Sequence, residues 1–398
     1  MAIIGGGPAG MMAAHFLSPH HEVHLYEQKR NIGRKFLVAG EGGFNLTNQL
    51  EGEDLVQQYS PPDFMRPFIE AFGSADLRSW LRSIGIETFI GSSGRVFPVN
   101  GLRPIHVLQA IRNSLIKAEV IIHTEHRFTG FDHHAIPIID RFGERSTIQA
   151  DRYFFALGGA SWPSTGSDGK WCEAFRAIGI RVRPFRASNC GVEVDMPVSL
   201  LVHAGRPLKN ISISCAAKSL RGEFSITTYG LEGNAIYPIV PFIRSALENG
   251  EVFAIKIDLK PDIPLDVLIE RTTLAAATKS ARAPMLDRTS TAFLKAFTSR
   301  EIFHDPGSLA KAIKNLQVPI RALRPIEEAI SSVGGISLEE VGNSLQLLRH
   351  PHLFVMGEML DWDAPTGGSL LQGCFSTGCY AASCSTGLPQ DPIGRIDD

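Results

Sequence analysis

A short apolar run, Ala2-Ile3-Ile4, passes into Gly5-Gly6-Gly7-Pro8-Ala9-Gly10, and residues 11–17 are rich in Met and Ala. Val23-His24-Leu25-Tyr26 then alternates in polarity and stops at Glu27. Period-two alternation marks a strand, and an apolar block behind a glycine turn marks a helix, so the chain is predicted to open strand–helix–strand. Residues 31–48 read as a glycine-punctuated loop ending in Asn45-Leu46-Thr47-Asn48. Residues 54–118 are predicted mainly helical, at 76–84 and 104–117, with Gly94-Arg95-Val96-Phe97-Pro98 between the helices. Strands are expected at 120–122, 136–139 and 153–156, the last running into Gly158-Gly159.

From 192 to 259 the pattern becomes short alternating segments, such as Ile211-Ser212-Ile213-Ser214 and Phe224-Ser225-Ile226-Thr227, which predict a small β-domain. Residues 264–324 turn helical, and there basic residues outnumber acidic ones. The tail returns to a strand at 353–356, then Gly357-Glu358, then Gly367-Gly368 opening a helix to about 382.

Gly5, Gly7 and Gly10 have the spacing of a phosphate-binding turn. The first permits the tight turn, the second lets the backbone approach a pyrophosphate, and the third lets helix and strand pack closely. The anion would sit at the helix N-terminus, where free N–H groups and the helix dipole favour negative charge. Glu27 ends the second strand, twenty residues past Gly7, where a carboxylate accepts hydrogen bonds from a ribose. Strand, helix, second strand and terminal acid together predict a dinucleotide site. Two features favour FAD over NAD. A strand ends in Gly357-Glu358, where a carboxylate can meet a ribityl chain. A helix N-terminus comes after Gly367-Gly368, where it can stabilise negative charge on a reduced flavin.

Composition narrows the class. The chain has 398 residues, 39 Lys and Arg against 41 Asp and Glu, so no global basic field argues for a polyanionic partner. Six Cys without a Cys-x-x-Cys pair suggest reduced thiols and a cytoplasmic setting. The start lacks a basic segment followed by a long apolar one, and no apolar run approaches a membrane span, so no membrane association is expected. Cys374, Cys379 and Cys384 recur every five residues, which does not place them on one helical face, and no His has ligand spacing with Cys or acids. No metal site is predicted. Arg176, Arg181, Arg183 and Arg186 read as a solvated strand edge.

These motifs, with several others in order along nearly the whole chain, resemble the FAD-dependent oxidoreductases of the aminoacetone oxidase-like, BaiN-like family. The further segments are Gly33-Arg34-Lys35-Phe36-Leu37-Val38-Ala39-Gly40 through Thr47-Asn48, Gly94 to Pro98, Ala156-Leu157-Gly158-Gly159 through Gly169, Val333-Gly334-Gly335, Gly357-Glu358-Met359-Leu360-Asp361 and Pro365-Thr366-Gly367-Gly368. The resemblance implies an α/β fold: a Rossmann-like, two-dinucleotide-type FAD domain with an inserted β-rich domain and a helical lobe. The expected boundaries are 1–189 with 325–398 for the discontinuous FAD domain, 190–263 for the β-rich domain and 264–324 for the lobe.

The expected FAD contacts are Gly5, Gly7, Pro8, Ala9 and Gly10; Glu27 and Gln28; Gly33, Arg34 and Lys35; Gly40, Gly42, Gly43, Phe44, Asn45, Leu46 and Thr47; Phe128; Ala156, Gly158 and Gly159; Gly357, Glu358 and Asp361; and Gly367, Gly368, Leu370, Leu371 and Gln372. Asn45, Thr47, Trp162 and Thr165 are the candidate catalytic residues. With one nucleotide fingerprint, any NAD(P)H would dock transiently over the flavin as electron donor.

The chain departs from the family in one place. Many members read Gly-Gly-Gly-Arg-Cys-Asn before Leu-Thr-Asn, whereas here Gly43 and Phe44 replace the Arg and Cys. Activities that use that Cys as proton donor are therefore not implied. The primary expectation is hydride transfer to or from a small organic substrate, as amine oxidation or reduction of an activated C=C. Two alternatives remain: a flavoenzyme reducing uridine in RNA, and a non-catalytic FAD-binding redox sensor. The sequence does not specify an oligomeric state.

Overall fold

The computed structural model describes residues 1–38, 44–99, 101–215, 218–277 and 286–386. The chain divides into two compact units, residues 1–186 with 330–398, and residues 187–329.

The first unit is built on a five-stranded parallel sheet, in the order Leu353–Val355, Tyr153–Phe155, Ala2–Ile4, His24–Glu27, Ile121–Thr124. The three strands Leu353–Val355, Tyr153–Phe155 and Ala2–Ile4 are buried at every position. That is why they read as continuous apolar runs: layers cover both faces of a parallel sheet. Register places Ile4 beside Tyr26 and Phe155, and Phe155 beside Val355, so the strand ends are level. The segments leaving these strands therefore converge at one edge of the sheet: the phosphate turn, Glu27, Ala156 and Met356-Gly357.

The helix Pro8–Leu17 starts one turn earlier than its apolar block suggests. Pro8 sits at its first position, where a missing N–H costs nothing, and extended Gly7 precedes it. It packs against the final helix, Ser369–Thr386, and a β-carbon on Gly378 would lie 2.2 Å from the Ala9 carbonyl oxygen. Only glycine permits that approach. Gly10 is under the same constraint, since a β-carbon there would lie 2.0 Å from the Gly5 carbonyl oxygen.

Smaller sheets accompany the parallel one, among them a pair of strands, Val182–Ser188 and Ser331–Ile336. Thr47–Asn48, Arg95–Pro98 and Thr88–Ile90 form an antiparallel sheet, and Arg127–Phe131, Pro137–Arg141 and Glu144–Thr147 form a meander. The expected helices at 76–84 and 104–117 are present as Ser74–Ser83 and Pro104–Lys117.

The second unit is a seven-stranded antiparallel sheet with helices. Leu268, Phe293, Leu309 and Ile313 of the helices share one hydrophobic cluster with Ile213, Phe224, Ile255 and Ile257 of the strands. The stretch 264–324 is not helical to its end, because Leu316–Ile320 and Ala322–Leu323 are strands of that sheet. Leu316, Val318 and Ile320 are buried while Gln317 and Pro319 are exposed, a period of two. Pro319 also bars a helix interior. Among the described residues no helix is long and apolar enough to cross a membrane.

Candidate cofactor and active site

The convergent strand ends open a cleft of about 1270 Å³ within the first unit. The turn residues Gly5, Gly7, Pro8 and Ala9 line it, with Glu27 and Gln28 beside them. Gly33, Arg34 and Lys35 form a second wall, and Phe128, Ala156, Gly158, Gly357 and Glu358 complete the enclosure. Thr165 also reaches the cleft, and its hydroxyl donates to the Trp162 carbonyl oxygen at 2.8 Å.

The turn suits a pyrophosphate. A β-carbon on Gly5 would lie 2.3 Å from the Ala156 carbonyl oxygen, so a side chain there would displace the adjoining strand end. A β-carbon on Gly7 would meet only that same oxygen, at 4.0 Å, leaving its cleft side open to close backbone approach. Glu27 accepts hydrogen bonds from the Gly6 and Lys29 backbone N–H groups, at 3.0 and 2.8 Å. Burial nevertheless pushes its carboxyl above the usual carboxylate range. A partly desolvated carboxylate on the cleft wall gains from hydroxyl donors, which a ribose supplies.

Lys35 and Glu358 carry the charge deeper in the cleft. Lys35 Nζ lies 2.7 Å from Glu358 Oε2 and donates to Ser161 Oγ at 2.7 Å. Glu358 Oε1 accepts from the Ser332 backbone N–H at 3.0 Å. A β-carbon on Gly159 would lie 2.0 Å from Ser332 Oγ, so this glycine leaves room for the network and does not line the cleft.

A second group of predicted residues gathers where the final helix begins. The Thr47 hydroxyl is fully buried, donates to Gln372 Oε1 at 2.8 Å and lies 3.0 Å from Ser74 Oγ. Asn48 Nδ2 donates to Ser369 Oγ at 3.1 Å, and Tyr59 OH donates to the Ser369 carbonyl oxygen at 2.8 Å. Gly368, at φ +105°, leaves no room for a β-carbon, which would lie 2.4 Å from the Thr47 carbonyl carbon. Gly367, Leu370, Leu371 and Asn45 are half-buried around this junction, and Leu46 is fully buried. Phe44, at the position of the family's Cys, is buried with its ring edge-on to Phe36 at 5.1 Å. Gly40, Gly42 and Gly43 lie outside the described residues.

The candidates do not all share one surface. Gly10 packs within the first helix, and Asn45, Thr47 and Trp162 do not line the cleft. Trp162 adopts a left-handed backbone, φ 60° and ψ 61°, before the short turn that carries Thr165. Asp361 is held by Arg183 Nε at 3.1 Å. Arg181 likewise pairs with Glu339 and Glu340, and Arg176 with Glu173, so three arginines of the expected solvated edge are engaged by carboxylates.

Sequence reasoning missed Ser161 and Ser332, whose hydroxyls complete the Lys35–Glu358 network. It also missed Tyr26, which lines the cleft and stacks on His123 with ring centroids 4.5 Å apart. Only Tyr26 had a local signal, as the residue before the strand-terminal acid. Burial holds the Cys374 thiol, on the cleft wall, up at about 12. Among the described residues no group of three or more His, Cys, Asp or Glu could hold a metal ion.

A parallel sheet whose strand ends carry a glycine turn and a buried acid around one cleft is a dinucleotide-binding architecture, and the family match and the relatives make the chain an FAD-dependent oxidoreductase. Residues 1–384 match the model of the HI0933-like protein Rossmann domain, and the chain belongs to that family. It is 26% identical to the 3-dehydro-bile acid delta(4,6)-reductase of Clostridium scindens, covering 98% of this chain and 99% of that protein. It is 22% identical to the ribosomal RNA dihydrouridine synthase of Haemophilus influenzae, covering 96% and 97%. Among solved structures it resembles 3-ketosteroid delta1-dehydrogenase from Sterolibacterium denitrificans, with a TM-score of 0.51, 12% identity, and coverage of 96% and 98%. At that identity the likeness concerns the fold.

Proposed function

We propose that this protein uses FAD to reduce a carbon–carbon double bond conjugated to a carbonyl, in a small and mainly apolar organic substrate. The observation that carries this reading is a chemical agreement between the two relatives matched end to end. One reduces 4,6-unsaturated bonds of a 3-oxo bile acid, and the other converts uridine to dihydrouridine. Both double bonds are conjugated to a carbonyl, although the substrates differ greatly in size.

FAD, once reduced, supplies the hydride for such a reaction. The chain must then orient the substrate and stabilise the charge that develops on its carbonyl oxygen as the β-carbon is attacked. A proton must also reach the α-carbon. Phe44 stands where the resemblance implies a Cys in many family members, with its ring packed on Phe36, so that position supplies no proton. Another donor or water fills that role. NAD(P)H is the proposed source of electrons, docking transiently, because the chain carries one phosphate fingerprint.

The test is anaerobic mixing of the reduced protein with a 3-oxo-4-ene steroid, monitoring the return of oxidised flavin absorbance. Reoxidation well above the buffer rate supports the reading. No reoxidation by any conjugated enone, together with bleaching of the oxidised protein by aminoacetone, would replace it with amine oxidation. A second reading, reduction of uridine in RNA, is favoured by the match to the ribosomal RNA enzyme. It predicts reoxidation by structured RNA alone, with binding that weakens steeply as salt rises.

A further inference from the structure

One face of the small antiparallel sheet is apolar at one end and carries an unengaged cation at the other. In the strand Arg95–Pro98, Val96 and Pro98 are buried while Arg95 and Phe97 are half-buried on the other face. Phe89, 44% exposed, stands directly opposite Phe97, with ring centroids 5.8 Å apart. Asn48 stands opposite Arg95 and reaches Ser369 at the start of the final helix. Arg95 points the same way: a β-carbon on Gly367 would lie 3.5 Å from its Nε. Among the described residues the Arg95 guanidinium has no hydrogen-bond or ion-pair partner. A half-buried guanidinium beside a helix N-terminus is an uncompensated positive site, and the exposed Phe89 ring beside the half-buried Phe97 ring, tilted 31° to it, is an apolar surface.

We infer that this face is the substrate platform: Phe89 and Phe97 hold the apolar body of a planar enone, and Arg95 binds its carbonyl oxygen. The inference rests on the conjugated-carbonyl reading and adds the residues that would serve it. As the hydride that reduced FAD would supply adds to the β-carbon, the C=C electron pair shifts toward the carbonyl and its oxygen becomes an enolate. The Arg95 guanidinium donates hydrogen bonds to that oxygen, and a water molecule then gives its proton to the α-carbon, leaving hydroxide to bulk solvent. Charge-assisted hydrogen bonds from a guanidinium are about twice as strong as neutral ones, so Arg95 favours the enolate over the ketone.

The experiment uses the FAD-loaded protein and 2-naphthol, whose ionised form mimics a flat enolate. Binding is read from the flavin visible spectrum across the naphthol titration. The wild type should bind naphtholate more tightly than naphthol. Arg95→Gln should weaken naphtholate binding about tenfold or more, while changing naphthol binding by less than about threefold. Phe89→Ala, on the surface, should weaken both forms alike. Naphtholate affinity that Arg95→Gln leaves within about threefold of wild type would overturn the role of Arg95. Should Arg95→Gln lose FAD, Arg95→Lys provides the comparison, with an intermediate loss of naphtholate binding expected and none overturning the role. An unchanged affinity in Phe89→Ala would remove the aromatic platform. Failure of naphtholate discrimination while enones still reoxidise the flavin sinks this inference alone. Intact discrimination without enone turnover sinks the reaction and leaves the platform.

Discussion

Lys35 Nζ lies 2.7 Å from Glu358 Oε2, joining two residues 323 positions apart in the chain. The lysine belongs to the helical turn Arg34–Val38 and the glutamate to the turn after the strand Leu353–Val355. Their side chains are 27% and 14% exposed, so neither charge is fully solvated. Removing one partner leaves the other charge partly desolvated, which costs more than an exposed pair contributes. Lys35→Met and Glu358→Gln should each destabilise the apoprotein by about 1–3 kcal/mol, with the double variant recovering part of the loss. Urea unfolding of the four proteins checks this, and strict additivity would mean that the pair carries no coupling.

The beginning of the fold was legible because its signals are local. The turn Gly5 to Gly10, the helix it opens and the acid at Glu27 lie within one strand–helix–strand unit and depend on backbone geometry that only certain residues allow. The strands of the parallel sheet and the final helix were legible from alternation and glycine punctuation to within a few residues. The Lys35–Glu358 contact was not, since nothing local marks which lysine meets which glutamate across the chain. The small sheet was missed for a related reason. Arg95–Pro98 read as a connection between helices, and it is a strand only because Thr47–Asn48 and Thr88–Ile90 pair with it. The end of the second unit reads as a continuation of the helices before it, and the short alternation of Leu316, Val318 and Ile320 becomes a strand by pairing with Phe253 to Ile257, about sixty residues earlier in the chain.

Glu27 gives a pH dependence whose sign is fixed by its environment. Burial raises its carboxyl above the ordinary value, so the folded apoprotein holds that proton to higher pH than the unfolded chain does. Its contribution to apoprotein stability is therefore fully present below the ordinary carboxylate pKa and is lost as pH rises through the raised one. Ribose hydroxyl donors favour the ionised form, so FAD affinity should rise across the same window. Glu27→Gln should flatten both trends and weaken FAD binding about tenfold. Apoprotein melting and FAD titration at several pH values test this, and an FAD affinity that falls as pH rises would refute it.

The cysteines should be poor nucleophiles in the folded state. Burial pushes Cys172 up to about 11 and Cys374 to about 12, and raises Cys379 as well. The thiolate is the reactive form, so at pH 8 only a small fraction of each of these groups can attack a disulfide reagent. Cys190 and Cys215 are buried, and Cys384 is more accessible. Titration with an aromatic disulfide should show Cys384 reacting first and the other five only on unfolding. Rapid modification of Cys374 would show that its position on the cleft wall exposes it to solvent. Loss of FAD on that modification would tie the thiol to the cofactor.

Gly368 is the tightest point between the loop strand and the final helix. Its φ of +105° strains any residue with a side chain, and a β-carbon would lie 2.4 Å from the Thr47 carbonyl carbon and 2.5 Å from its oxygen. Those are backbone atoms, so relief requires the strand Thr47–Asn48 to move away from the helix. Gly368→Ala should cost about 3 kcal/mol, combining the conformational penalty with overpacking. Gly52→Ala separates the two contributions, because Gly52 also has a positive φ, +51°, and nothing lies within 4 Å of its added β-carbon. It should lose only about 1 kcal/mol. Thermal unfolding of both variants, with flavin circular dichroism to report the cofactor's surroundings, reads the difference. A Gly368→Ala protein as stable as Gly52→Ala would show that the junction yields easily. The Thr47–Gln372 hydrogen bond would then not fix the start of the final helix.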